Sequence, residues 1–277
     1  MSIKSNKHRS QVFRIKEFRA FMRLETCLYV SCIAASGFLL FNPLTPAILP
    51  LFLAVLSLTG ASYGYNHLTD MEEDRINNSR LNTFVTNGKG APAVAGMIAA
   101  GTFFSLFLPP LSLFLFLLGI PLIIAYSRLR IKAVFLAKNL YTGLTIGLMF
   151  LIGAAAAGAL TPQVISSFFV AAFFGFMLNV LGDIRGYEGD LAAGVRTIPV
   201  FMGVGPSIRL AQSLFLGFSV CILIFRMYPF YTLAVFPFLI SLSLAFEKHK
   251  LARLGILSSF ITFSAFLLAV KAMEACA

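Results

Sequence analysis

The chain has 277 residues, 58% of them hydrophobic and only 12% charged, with a mean hydropathy of +0.87 and a formal net charge of +11. Soluble domains carry roughly a quarter charged residues, so this composition excludes an ordinary soluble enzyme and points to a chain solvated mainly by lipid. The basic excess has a topological reading, because Lys and Arg accumulate in short cytoplasmic loops, and no nucleic-acid partner is expected.

Residues 1–23 read as a basic cytoplasmic tail carrying Lys4, Lys7, Arg9, Arg14, Lys16, Arg19 and Arg23. They lack the apolar core and small-residue cleavage site of a secretory signal. Residues 24–277 read as a single transmembrane domain. Charge-free runs cover Thr26–Thr69, Ala91–Ser127 and Asn139–Gly182. A span needs about 20 apolar residues, so each run holds two spans. Each is divided by a turn signal: Asn42-Pro43-Leu44-Thr45-Pro46, Pro109-Pro110 and Thr161-Pro162-Gln163. Three shorter runs, Leu210–Phe225, Met227–Phe246 and Leu254–Val270, bring the predicted count to nine helices.

With the N-terminus inside, 20 of the 22 Lys and Arg fall on the cytoplasmic side, leaving Arg226 and Lys271 outside. Asn66–Asp74, Tyr126–Lys138 and Asp183–Asp190 then share that side. The four cysteines, Cys27, Cys32, Cys221 and Cys276, lie in or beside apolar runs without metal-ligand spacing and read as small buried hydrophobes.

The chain has eleven carboxylate side chains, and seven of them lie in two short stretches: Asp70, Glu72, Glu73 and Asp74, then Asp183, Glu188 and Asp190. Such concentration in an acid-poor chain points to a divalent cation. Asn66, Asp70 and Asp74 are spaced i, i+4, i+8 and stack along one helix face. Asp183 and Asp190 are two turns apart. Asn66-x-x-x-Asp70 is repeated as Asn179-x-x-x-Asp183, each at the inner end of an inbound helix. Magnesium takes one or two carboxylates plus substrate phosphate oxygens, so the two stretches could hold a diphosphate between them. Arg75, Arg80, Arg128, Arg130, Lys132, Lys138, Arg185 and Arg196 could contact its oxygens.

These features resemble the UbiA superfamily of intramembrane prenyltransferases. Asn66, Asp70 and Asp74 match its N-D-x-x-D-x-x-x-D motif after helix 2. Asp183-Ile184-Arg185 through Gly189-Asp190, then Ala193-Gly194-Val195-Arg196-Thr197, resembles the motif after helix 6. Tyr126-Ser127 with Arg130 resembles the Y-x-x-x-K segment after helix 4, and Lys138-Asn139 the K-N pair that follows. The chain departs from the family at His67 and Gly186, where the family has Asp, and at Arg130, where it has Lys.

The resemblance implies an all-α polytopic membrane protein, a bundle of nine transmembrane helices around a central cavity, with a cytoplasmic N-terminus and its active-site loops on the cytoplasmic side of the cell membrane. It implies Mg2+-dependent transfer of an isoprenyl group from a polyprenyl diphosphate to an aromatic, quinone-precursor or lipid acceptor. Asp70, Asp74, Asp183 and Asp190 would hold the metal and, together with Tyr126, form the catalytic set. Asn66, Arg80, Arg128, Arg130, Lys132, Lys138, Asn179 and Arg196 would bind the diphosphate. Tyr63, Tyr65, Tyr126 and Tyr141 lie near the site in sequence, where aromatic faces can stabilise an allylic cation. An intramembrane terpene cyclase needs the same ionisation without an acceptor. A lipid transporter or lipid-binding protein is disfavoured, since the spans carry no charge through their middles.

Overall fold

A computed structural model of the chain describes residues 15–71, 81–245 and 249–276. The described residues are helical, with short loops and no strand. The principal helices are α1 (Leu24–Phe41), α2 (Ile48–Thr69), α3 (Gly90–Ser105), α4 (Pro110–Arg128), α5 (Ala137–Ala154), α6 (Pro162–Ala192), α7 (Val204–Ile224), α8 (Tyr231–Ala245) and α9 (His249–Cys276). Eight segments built on these are long and apolar enough to cross a bilayer; α3, with 16 residues, is apolar but shorter. The three predicted turn signals fall between helices: Pro110 opens α4 and Pro162 opens α6, where the missing proline N–H costs no helical bond. The Thr161 hydroxyl caps α6 by accepting from the Val164 N–H.

α6 has 31 residues, about 46 Å of helix against a hydrocarbon core of about 30 Å. The surplus of roughly ten residues carries Asp183 to Asp190, so the second acidic stretch is helical and stands beyond the apolar part of the helix.

α1 is the hub. It packs on α2, α5 and α9, while α2–α3, α4–α5, α5–α6, α6–α7, α7–α8 and α8–α9 are further neighbouring pairs. Lipid offers no hydrophobic drive for helix association, so close packing and interhelical hydrogen bonds must supply it. Two glycines do so here. A Cβ on Gly37 would lie 2.1 Å from Phe150 O, and one on Gly153 would lie 2.0 Å from Ala34 O. Only hydrogen at these Cα atoms lets α1 and α5 meet backbone to backbone. On its other side α1 is stitched to α9: the Ser36 and Ser264 hydroxyls are 2.7 Å apart, and Ser264 Oγ donates to Cys32 O at 2.6 Å.

A second, smaller core packs Phe21, Met22 and Cys27 against Ala61, Val85, Val94 and Met97. It includes the helix 15–22, part of the segment expected to be a tail. That helix is locked to the start of the 83–86 turn, where Thr83 N and Oγ1 donate to Glu17 Oε2 at 3.1 and 3.0 Å. Phe21 is fully buried and stacks on His67 and Phe84, with ring centroids 5.9 and 5.6 Å apart.

Candidate active site

The C-terminal ends of α2, α4 and α6 and the start of α5 converge on a chamber of about 340 Å³. Its polar end is formed by Asn66, Tyr126, Lys138, Asn179 and Arg185, and its wall descends through Leu122, Thr145 and Leu148. From Lys138 to Met149 the wall follows twelve residues of α5, a depth of about 16 Å. Gly119, Leu58 and Met149 meet at the floor, where a Cβ on Gly119 would lie 3.0 Å from Leu58 Cδ2 and 3.9 Å from Met149 Cε.

The polar end is built by hydrogen bonds between helices. The Ser127 hydroxyl donates to Asn66 Oδ1 and so ties α4 to α2, leaving the Asn66 N–H groups to serve as donors. Asn179 Nδ2 donates to Thr142 Oγ1 at 3.2 Å, tying α6 to α5. The Tyr141 hydroxyl donates to Leu122 O, and its ring lies 5.1 Å from that of Tyr126.

Asp183 is the buried pivot. Its side chain is fully enclosed, with Lys138 Nζ 2.6 Å from Oδ1 and Asn139 Nδ2 2.8 Å from Oδ2. Both oxygens therefore have a donor. The carboxylate holds Lys138 against the chamber wall, and the Lys-Asn pair forms one hydrogen-bonded unit with the second motif. Asp190, two turns on, leans over the bare backbone at Gly186, where a Cβ would lie 3.6 Å from Asp190 Oδ2. That oxygen is buried without a hydrogen-bond partner, as is Thr197 Oγ1. Asp70 ends α2 and accepts from the Thr69 hydroxyl at 3.2 Å.

Asp74 and Arg80 lie outside the described residues, as does the side chain of Lys132, whose backbone forms the turn Ile131–Ala133. Arg128, Arg130 and Arg196 are exposed and are not wall residues of the chamber. His67 stacks on Phe21.

The donor set suits magnesium. The carboxylates of Asp70, Asp183 and Asp190 are hard oxygen donors, and Asp190 Oδ2 is a buried acceptor that makes no hydrogen bond. Among the described residues no three His, Cys, Asp or Glu side chains come close enough together to hold a metal ion, so the protein's own cage is incomplete. An incomplete cage is what magnesium tolerates, because it keeps waters and takes substrate phosphate oxygens.

Reasoning from sequence passed over Arg23, read only as the end of the tail. Its backbone is left-handed, with φ 50° and ψ 57°, a conformation that costs a non-glycine residue roughly 1–2 kcal/mol. Its guanidinium carbon lies 5.0 Å from the centre of the Tyr63 ring, and it lines the chamber. Thr142 was missed as well. No spacing rule marks either residue, since one is a lone cation before an apolar run and the other a lone hydroxyl within one.

The UbiA prenyltransferase family model matches residues 26–269. The chain is 29% identical over 203 residues to a digeranylgeranylglyceryl phosphate synthase of Methanothrix thermoacetophila, covering 69% of this chain and 73% of that protein. It is 28% identical over 167 residues to a synthase of the same name from Haloquadratum walsbyi, covering 59% of this chain and 58% of that protein. A solved UbiA homolog from Archaeoglobus fulgidus, bound to GPP and Mg2+, superposes with a TM-score of 0.74 at 19% identity, over 92% of this chain and 98% of that one. The apo UbiA homolog from Aeropyrum pernix K1 gives 0.71 at 17% identity, over 90% and 98%. With the family model spanning most of its length, the chain belongs to the UbiA prenyltransferase family.

Proposed function

We propose that the protein transfers an isoprenyl group from an isoprenyl diphosphate to the hydroxyl of a lipid acceptor at the inner end of the bundle. The observation that carries this is the Lys138–Asp183–Asn139 unit set beside Asn66 and Tyr126, at the polar mouth of a deep apolar chamber. A diphosphate head fits the mouth and an isoprenyl tail the wall below it. Named relatives are digeranylgeranylglyceryl phosphate synthases, which favours, for this chain, a glyceryl phosphate bearing one geranylgeranyl ether over an aromatic acceptor. The excess of Lys and Arg supports a cytoplasmic N-terminus, nine spans and a cytoplasmic mouth.

Lys138 and the Asn66 N–H groups contact diphosphate oxygens and share the charge that grows as the donor C–O bond breaks. Asp70, Asp74, Asp183 and Asp190 are the residues that would hold Mg2+, which when bound supplies Lewis-acid neutralisation of the diphosphate. The adjacent Tyr126 and Tyr141 rings, tilted at 32° to one another, face the carbon end of the donor and stabilise its cationic character. The acceptor oxygen forms the new C–O bond, and its proton passes to the departing diphosphate. The apolar wall keeps water from competing.

Purified protein with Mg2+, a labelled isoprenyl diphosphate and the monogeranylgeranyl glyceryl ether phosphate should release diphosphate and form diether, both stopped by EDTA. Release without any acceptor would establish a cyclase instead, and no release with any donor length would sink the transferase reading. The floor of the chamber gives a second expectation. Gly119→Phe should lower kcat/KM for a geranylgeranyl donor at least tenfold relative to a geranyl donor, about 1.4 kcal/mol of discrimination. An unchanged ratio would put the tail elsewhere.

A further inference from the structure

Six large apolar side chains stand exposed at the end of the bundle that holds Lys138, outside the membrane-crossing helices. Leu129, Val134, Phe135 and Leu136 belong to the loop between α4 and α5, and Phe201 and Met202 end the short helix Ile198–Met202 that precedes α7. The Phe135 and Phe201 rings lie 5.2 Å apart, so the two segments form one ledge. Leu129 is 69% exposed and Phe201 77%. Single apolar residues are common on protein surfaces, but a contiguous patch marks a contact. The loop is also forced into this shape. Arg130 and Leu136 both have a left-handed backbone, with φ 50° and 60°, which is costly for a residue with a Cβ, and they bracket the exposed Val134 and Phe135.

We propose that this ledge rests in the headgroup layer of the bilayer and gathers anionic phospholipid around it. Helix lengths fix where the membrane begins. The segment Ala137–Ala157 built on α5 and the helix α7 each have 21 residues, about 31 Å of helix against a hydrocarbon core of about 30 Å. Ala137 and Val204 therefore stand at the boundary, with Leu136 and Met202 beside them. Apolar groups at that level meet lipid before any soluble partner can reach them. Charge selects the lipid. Residues 128–138 and 195–209 hold Arg128, Arg130, Lys132, Lys138, Arg196 and Arg209 and no Asp or Glu. Arg128, Arg196 and Arg209 are exposed, and none of the three lines the chamber. The Arg209 side chain runs back along α7: its Nη1 would lie 3.9 Å from a Cβ on Gly205, one turn nearer the ledge. A basic side chain that climbs toward the end of its span meets the phosphate layer. Apolar insertion with a basic rim is the pattern of interfacial binding that anionic lipid strengthens. The ledge joins the loop that leads into Lys138 to the segment that follows Asp190, so lipid held there braces both sides of the site.

The chain has no Trp, so Phe201→Trp places a single fluorophore on the ledge of the full-length protein. The protein is held in nanodiscs of phosphatidylcholine with a minor fraction of phosphatidylglycerol, and bromine is carried on the upper acyl chain of one lipid or the other. Both brominated lipids should quench the Trp. The association of phosphatidylglycerol relative to phosphatidylcholine, read from the quenching, should be at least about fivefold, the gain that one basic residue brings at an anionic surface. Arg209→Gln in the same protein should lower that preference by about the same factor and leave quenching by brominated phosphatidylcholine unchanged. Equal association of the two lipids would overturn the proposal. So would a Trp quenched by aqueous iodide and by neither lipid, which would put the ledge in water. A Trp shielded from iodide and from both lipids would overturn it in favour of a protein contact, a second copy included. Should Phe201→Trp not fold, Met202→Trp carries the same measurement.

Discussion

Replacing Asp183 with alanine should abolish transfer and lower the stability of the solubilised protein by about 3–5 kcal/mol, the usual cost of stranding one half of a buried ion pair. Asp183 is wholly enclosed and answers two donors at once, the Lys138 ammonium and the Asn139 amide. Without it, Lys138 loses its counter-ion at the polar end of the chamber, and Asn139, itself buried, loses its acceptor. Asp183→Asn should be intermediate in stability, since one amide contact can re-form, yet equally inactive if Lys138 turns away from the chamber. The informative control is the double substitution Lys138→Met with Asp183→Leu. Removing both charges can restore much of the lost stability, because apolar replacement of a buried pair is often neutral or better, whereas transfer should stay absent. Unfolding in mixed micelles and diphosphate release read the two effects separately. An alanine variant as stable as the parent would deny the pair its structural part, and a transferring double variant would deny Lys138 its contact with the diphosphate.

Gly153→Ala should cost at least about 1–3 kcal/mol, the usual penalty for overpacking, and in this place more than a typical core insertion. The atom in the way is not a side chain that can swing aside. The added methyl would stand 2.0 Å from the Ala34 carbonyl oxygen and 2.8 Å from Phe38 N, so the helices must separate along their whole contact. Gly37→Ala should behave alike, and the double variant should cost less than the sum, because one separation relieves both clashes. Activity should fall too, since α1 and α5 both wall the donor chamber. Full additivity in unfolding measurements would mean that the two glycines do not share one contact.

The sequence-level reading reached the helices and the motifs because both are local. Prolines at 110 and 162 punctuate apolar runs, and Asn-x-x-x-Asp repeats at helical spacing whatever surrounds it. The partner of Asp183 is a different matter. Lys138 lies 45 residues away; its place beside Asn139 marks it as a site residue, but no spacing ties it to Asp183. Arg23 was hidden more thoroughly, since the expected excess of Lys and Arg on one side accounts for each of those cations equally well. The α1–α5 contact was illegible for a third reason. Gly37 and Gly153 sit in ordinary apolar surroundings, and only the crossing of two distant helices makes them indispensable. Gly186 could be recognised as a departure from the family, but that Asp190 leans over it depends on a rotamer, not on a spacing.

The stitching of α1 to α9 also sets a clock on biogenesis. Ser36 and Ser264 are 228 residues apart in the chain. At about 5–20 residues per second, α1 waits for roughly 10–45 seconds after its own synthesis before its last neighbour exists. Through that interval its serines have no partner in α9, and the flank of α1 that α9 later covers faces lipid or the insertion machinery. The bundle therefore closes around α1 only after α9 has been made.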